Sequence, residues 1–441
     1  MPLDAGPDRA AAPRTDPRRP RIAVVGGGIS GMATALALAP VAQTTLFEAA
    51  PRLGGHARTV LAGLRGDRPV DTGFIVFNHA TYPHLGRLFR ELEVPLARSE
   101  MSFGVSVDGG RMEFSFRSLP ALFARPRNAV SPAFLGMLRD MERFNRRAEG
   151  AVREGQTVGE LVAALGLGRG FRRLYLRPFC GAIWSTPEIE VDALPAALLV
   201  RFLRNHGLLG ISGHHQWWTV AGGSVEYVRR LARRLEAEGV RLRCGAPVRR
   251  VAREAGGVSL RAEGGLAERF DQVVLACHPD QALALLADAD PEEARLLGAI
   301  RYRPNRAVLH RDPGQMPRRR ACWAAWVCRS AGESAGEAPG EAAGGIGVSY
   351  WMNRLQNIPE SDPLFVTLNP ASPVREEAIY DETVFRHPVL DEGAIRAQKG
   401  LDAIQGARGV WFAGAWLRNG FHEDGIASAF RIARRMGAPA W

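Results

Sequence analysis

Residues 21–31, Arg-Ile-Ala-Val-Val-Gly-Gly-Gly-Ile-Ser-Gly, narrow the possible folds of this 441-residue chain more than any other stretch. Five mostly apolar, β-prone residues run into Gly26, Gly28 and Gly31, spaced G-x-G-x-x-G, and residues 32–39 then form a helix-prone segment stopped by Pro40. The pattern predicts strand, tight turn and helix. The first glycine permits the turn, the second lets backbone approach a pyrophosphate, and the third lets helix and strand pack closely. The phosphates would sit on the helix N-terminus, with Ile29 and Ser30 among the binding residues, where unpaired N–H groups and the macrodipole attract anions. Residues 44–48 read as a second strand ending in Glu48, an acid placed to accept hydrogen bonds from ribose hydroxyls. A glycine-rich structural turn is the plainer alternative.

The length suits two or three domains, and 46% hydrophobic content supports a substantial core. The formal charge of +11 leaves nucleic acid, a membrane surface or an anionic substrate open as partners. Lys399 is the only lysine, so the basicity is arginine, which codon bias explains as readily as phosphate binding does. No recognisable nucleic-acid module is present, and no such partner is expected. Cys180, Cys244, Cys277, Cys322 and Cys328 are scattered without a C-x-x-C pair, which points to a reducing compartment and against zinc or dithiol chemistry; no metal is expected. Residues 1–20 read as a disordered tail, neither signal peptide nor anchor. No run approaches the roughly 18 apolar residues of a membrane span, so the expected place is the cytoplasm, with peripheral contact at the inner membrane face left open.

Arg52-Leu53-Gly54-Gly55-His56 follows the second strand and puts a cation and close-approach backbone beside the same pyrophosphate. With Glu48 it resembles the E-x-x-x-R-x-G-G signature of the flavin-containing amine oxidase and phytoene desaturase superfamily. The resemblance implies an α/β fold with a Rossmann-like FAD-binding domain of glutathione-reductase type and amine oxidase topology, and an interleaved α+β substrate domain. It implies non-covalent FAD, with Arg52 on the diphosphate and Gly54, Gly55 and His56 along the flavin edge. Gly73 and Phe74 would pass close to the isoalloxazine ring; an ordinary bulge is the other reading of Gly73. Val248 would meet the adenine through its backbone. Gly414, Asp424 and Ile426 match the second FAD signature, whose helix start would face the pyrimidine end. This chain departs from the pattern at His56, often arginine, and at Ala415, usually acidic.

On this resemblance the FAD-binding domain comprises residues 21–78, 223–285 and 395–441, and the substrate domain residues 79–222 and 286–394, with a flexible loop at 330–345. Residues 114–147 mix aromatic and basic side chains, which suits either a membrane-surface segment or a core-facing helix with a solvated face. Ser224 is a candidate cap for a helix running to Leu235. Residues 348–353 and 364–368 read as strands that either wall an apolar channel or pack a core.

Residues 71–78, 183–187, 219–224, 350–353 and 420–425 together resemble a bacterial subfamily linked to cyclopropane-fatty-acid-synthase-like methyltransferases. That narrower likeness implies desaturation of a methyl-branched fatty acyl chain of a membrane phospholipid, on the way to furan fatty acids. His422 and Glu423 are the candidate catalytic residues, since their turn should approach the ring; structural capping is the alternative for both. A flavin amine oxidase is the runner-up, weakened because such enzymes commonly place a lysine near the flavin and Lys399 lies far from every flavin motif. A non-catalytic flavoprotein is the third class. Oxygen, a quinone or a redox partner protein would take the electrons.

Overall fold

A computed structural model describes residues 19–184, 186–205, 209, 215–330 and 346–440. The tail up to residue 18, the insert at 331–345, Ser185 and His214 lie outside the described residues.

The strand Arg21–Val25 lies at the centre of a five-stranded parallel sheet. Its order is Arg241–Arg243, Gln43–Phe47, Arg21–Val25, Gln272–Leu275, Val410–Phe412. Parallel sheets need cover on both faces, and the two-residue alternation of the central strand supplies it. Ile22 and Val24 face a core shared with Met32, Leu36, Leu231 and Ile426. Ala23 and Val25 face the other core, with Val258, Phe270 and Val273. Helices Ile29–Leu38, Val225–Ala237 and His422–Arg435 contribute to the first core, and the antiparallel strands Val248–Glu254, Gly257–Ala262 and Ala267–Phe270 to the second. All ten residues of Ile29–Leu38 are buried, which is why that segment has no polar stripe. This is the Rossmann-like half of an α/β fold.

A second sheet of seven strands runs Ile379–Pro388, Tyr302–His310, Phe365–Leu368, Gly347–Trp351, Trp326–Arg329, Phe103–Val107, Met112–Ser115. Its pairs are antiparallel except Trp326–Arg329 with Phe103–Val107. Hydrophobic strands here pack core: Val348, Trp351, Phe365 and Val366 are buried. Helices Pro132–Ala151, Val158–Ala164, Arg177–Trp184 and Ala196–Asn205 cover the end of this sheet, with Phe134, Met137, Phe144 and Ala148 packed beside Val105, Val107 and Phe114. For that face of residues 132–151 the core-facing reading holds. A π-turn at Arg172–Leu176 precedes Pro178, whose missing N–H cannot serve the regular ladder.

The layers are joined by polar ties. Arg58 donates to both oxygens of Asp381 at 2.6 and 3.0 Å, and Asp362 accepts from the Leu64 N–H at 3.1 Å.

Candidate cofactor-binding and active site

The two glycine loops meet at the C-terminal end of the parallel sheet. Gly26 has φ +114°, reserved in practice for glycine, and a Cβ there would lie 2.7 Å from the Ala276 carbonyl oxygen. A Cβ on Gly31 would lie 1.8 Å from the Gly26 carbonyl oxygen, so helix and turn touch backbone to backbone. Gly28 differs: a Cβ there would meet nothing within 4 Å. Its backbone bridges to Gly54, whose N–H donates to the Gly27 carbonyl at 2.8 Å. The helix beginning at Ile29 has no side-chain cap and no acid in its first turn. Open backbone at Gly28 beside an uncapped helix start fits a diphosphate, and this is the structural ground for a dinucleotide here.

Glu48 ends its strand with both oxygens engaged, accepting from Gly27 N–H at 2.6 Å and Ala50 N–H at 2.8 Å. It fixes the glycine turn and still retains lone pairs. Its carbonyl accepts from Ala246 N–H at 2.9 Å, which brings the start of strand Val248–Glu254, and so Val248, toward the same end. Arg52 donates to the Leu53, Ala57 and Gly55 carbonyls at 3.3, 3.1 and 3.0 Å. That guanidinium braces the second glycine loop. Gly73 is a close-approach glycine: a Cβ would lie 2.1 Å from the His56 carbonyl oxygen, and Phe74 N–H donates to that same oxygen.

The chain's last helix closes the site from the other side. Gly425 packs on the first helix, where a Cβ would lie 2.7 Å from Ser30 Oγ and 3.1 Å from an Ile29 methyl. Segments about four hundred residues apart therefore share one surface, with Ile426 buried behind them. Gly414 N–H donates to Ser428 Oγ at 3.0 Å, and Asp424 accepts from Phe421 N–H at 3.0 Å. His422 stacks on Phe74, ring centroids 3.9 Å apart, and its Nε2 lies 3.0 Å from the Tyr227 hydroxyl. Glu423 turns away: its carboxylate accepts from His84 and Leu85 N–H groups, both at 3.0 Å, and meets His84 Nδ1 at 2.7 Å. It caps the start of helix Pro83–Glu91.

Sequence reasoning missed a polar centre beneath these loops. The buried carboxylate of Asp71 accepts from Thr59 Oγ1 at 2.6 Å, Ser224 N–H at 2.8 Å, Ser224 Oγ at 2.7 Å and Gln356 Nε2 at 3.0 Å. Ser224 thus does not cap helix Val225–Ala237 with its side chain, as its position suggested; its hydroxyl serves Asp71 instead. The D-x-G spelling at residues 71–73 was the available signal, but the partners come from three distant segments. Also unforeseen is a ring cluster in which His56 lies 5.0 Å from Phe385, 5.7 Å from His387 and 6.1 Å from His278, which stacks on Tyr302 at 4.0 Å. Among the described residues no three histidine, cysteine or carboxylate side chains are grouped to hold a metal ion. The Cys180 thiol is buried and burial raises its pKa, so it is inert at neutral pH.

Desolvation sets the protonation of this region. It lowers His278 to about 4 and His387 and His422 to about 3, with the neighbouring His56 adding to each, and lowers His310 to about 4. Burial raises Asp71 and Asp424 to about 6. Between pH 4 and 6 the four histidines bind fewer protons folded than unfolded, so their contribution to stability rises with pH. The two carboxylates bind more when folded, so theirs falls. Four groups outweigh two, and the midpoint of urea unfolding is expected to rise from pH 4.5 to pH 6.5. A midpoint that falls over this interval would show that the rings are not held neutral.

Residues 29–318 match the family described as flavin containing amine oxidoreductase. Hydroxyneurosporene desaturase of Cereibacter sphaeroides is 28% identical over 311 residues, 62% of this chain and 59% of that protein, so the match spans under two thirds of its curated relative. Among solved structures, the CLA-producing fatty acid isomerase from P. acnes matches with TM-score 0.67 at 15% identity, over 96% of this chain and 99% of that one. Cyclohexylamine oxidase from Brevibacterium oxydans matches with TM-score 0.67 at 17% identity, over 95% of this chain and 100% of that one. At such identities the solved structures establish the fold.

Proposed function

The chain belongs to the flavin containing amine oxidoreductase family, and from that membership we propose that it is an FAD-dependent oxidoreductase that removes hydride from the carbon beside an amine nitrogen. The observation that carries this reading is the family match, which runs from the dinucleotide loop at Ile29 well into the second sheet. Bound without a covalent link, FAD would supply the hydride acceptor. Gly26, Gly28 and the N–H groups of Ile29, Ser30 and Gly31 would hold its diphosphate, with Arg52, Gly54, Gly55 and His56 alongside. Glu48 and Val248 would take the adenosine end, and Gly73, Phe74, Gly414, Asp424 and Ile426 the flavin end.

The chain's own groups have defined parts in such a reaction. His422, neutral because it is desolvated, does not repel a cationic amine and presents Nε2, shared with the Tyr227 hydroxyl, as a proton-holding atom. Phe74 fixes the ring by stacking. Glu423 is a positioning residue that anchors the turn to helix Pro83–Glu91. Trp184 meets Phe202 edge-on at 5.2 Å and Phe202 stacks on Phe421 at 5.4 Å, forming an aromatic connection from the helical layer to this turn. Electrons would pass to oxygen or a redox partner.

Desaturation of an apolar chain is the second reading. It is favoured by the desaturase relative and by Lys399, which is exposed and paired with Glu154 at 2.9 Å rather than near the glycine loops. The narrower expectation of a methyl-branched acyl chain on a phospholipid gains no support from the comparisons, and the amine reading stands ahead of it. Among the described residues no helix is long and apolar enough to cross a membrane.

The deciding experiment mixes the purified yellow protein anaerobically with cyclohexylamine, putrescine, a polyene hydrocarbon or a methyl-branched phospholipid and follows the flavin absorbance. Bleaching by an amine alone is expected. Bleaching by the phospholipid or polyene alone reverses the order of the two readings, and a protein that takes up no flavin sinks both.

A further inference from the structure

Helix Pro132–Ala151 carries more apolar surface than its core contact uses. Phe134, Met137, Phe144 and Ala148 are buried, yet Leu135, Leu138 and Met141 continue the stripe round the helix, beyond the roughly 100° that a core-facing helix needs. Of these, Leu138 and Met141 line an apolar groove of about 390 Å³ together with Phe116, Leu119 and Leu122. The same stretch of chain leaves large aliphatic residues in solvent: Leu119 is 74% exposed, Val130, just before the helix, 77%, and Leu135, in its first turn, 44%.

A second cavity, of about 370 Å³, belongs to the same region and is lined by Gly110, Arg111, Arg125, Arg318 and Arg319. Strand Met112–Ser115 leads from Arg111 to Phe116, and Arg125 follows Leu122 by less than a helical turn, so the arginine cavity and the apolar groove share one stretch of chain. Glu113, wholly buried beneath, is already committed: it accepts from Arg318 N–H at 2.7 Å, Arg319 N–H at 3.3 Å and the Arg319 guanidinium at 3.1 Å. Glu142, at the groove, pairs with Arg146 at 2.7 Å. Among the described residues the guanidinium groups of Arg111, Arg125 and Arg318 have no carboxylate partner. More than half of the described arginines elsewhere do, from Arg58 with Asp381 to Arg435 with Asp402, so the cavity concentrates unneutralised charge.

We propose that this face, Arg111, Arg125, Arg318 and Arg319 with the prongs Leu119, Val130 and Leu135, docks the protein on a bilayer surface containing anionic phospholipid. Arginine forks match phosphate oxygens, and exposed aliphatic side chains beside them gain by entering the headgroup and acyl boundary. A soluble phosphate compound would use the arginines and leave the prongs in water; an anionic leaflet uses both. The inference goes beyond the flavin chemistry and does not depend on which substrate reading holds.

Flotation of the flavin-loaded protein with vesicles tests it. Binding to phosphatidylglycerol vesicles is expected to exceed binding to phosphatidylcholine vesicles by roughly tenfold or more. The combined Arg111→Ser, Arg125→Ser, Arg318→Ser variant should lose that excess. The Leu119→Ser, Val130→Ser, Leu135→Ser variant should also bind anionic vesicles several-fold more weakly. A charge-matched control, Arg201→Ser, Arg233→Ser, Arg241→Ser, removes exposed arginines elsewhere and should bind like the parent. Equal loss in the control overturns the proposal, because general basicity then accounts for binding. Undiminished binding by the leucine–valine variant, with inorganic phosphate displacing the protein from vesicles, overturns it in favour of a soluble anion.

Discussion

Replacing Gly28 with alanine is expected to give a folded but colourless protein. The backbone there is extended, with φ −75° and ψ −177°, which alanine adopts freely, and its Cβ would meet no protein atom within 4 Å. Alanine is a poorer N-cap than glycine by about 1 kcal/mol, and the lower entropy of the unfolded alanine chain offsets most of that cost. The added methyl instead occupies the space into which a diphosphate must come. Flavin affinity should fall by about tenfold or more, some 1.4 kcal/mol for each tenfold, while the thermal midpoint of the flavin-free protein stays put. Gly31→Ala makes the contrasting case: with its Cβ at 1.8 Å from the Gly26 carbonyl oxygen, it disrupts the fold and lowers the flavin-free midpoint as well. Equal flavin content in Gly28→Ala and the parent, measured by absorbance after gel filtration, would falsify the placement of the cofactor at this loop.

The second large effect is expected at Asp71. Removing its carboxylate orphans the Thr59 hydroxyl, the Ser224 N–H and hydroxyl, and the Gln356 amide, all pointing inward. Buried donors without acceptors cost about 1–3 kcal/mol each site lost, so Asp71→Ala should destabilise by about 3 kcal/mol near pH 5. Its folded pKa, about 6, lies above its ordinary 3.8. The stabilisation it provides is therefore full in acid and declines as pH rises through 6, because ionising a buried carboxylate is costly. Urea titrations should find the variant's deficit smaller at pH 8 than at pH 5. A deficit that grows with pH would show that the charged form is the one the site was built to hold. Gln356 comes from the segment after the second sheet's strand Gly347–Trp351, so Asp71→Ala loosens the joint between the two layers as well as the flavin-side loop.

Much of the cofactor end was legible in the chain because its determinants are local. The spacing of Gly26, Gly28 and Gly31 specifies a turn in which Gly26 and Gly31 leave no room for a Cβ, and the structure begins its helix at Ile29, three residues earlier than helix propensity alone suggested. Thr157 and Glu160 form the capping box that opens Val158–Ala164, again a matter of neighbours three residues apart. The acidic residues were less readable. Glu423 and Asp424 stand side by side in sequence, but one caps a helix that begins at Pro83 and the other caps its own helix. No local pattern distinguishes those fates.

The aromatic and arginine-rich stretch at 114–147 makes the same point at larger scale. Its composition suited either a buried helix or a surface segment. Packing assigns Phe134 and Phe144 to the core and leaves Leu119, Val130 and Leu135 in solvent.

By itself, then, the sequence determined the strand, glycine turn and helix at residues 21–38, which rest on backbone sterics and residue spacing, and it carried the motifs by which the chain resembles its family. Only the tertiary structure decided that Gly425 packs on Ser30, that Ser224 serves Asp71 and that three arginines share a cavity without carboxylate partners. Such contacts depend on which distant segments the folded core brings within hydrogen-bond or van der Waals range, a short-range condition that spacing along the chain does not encode.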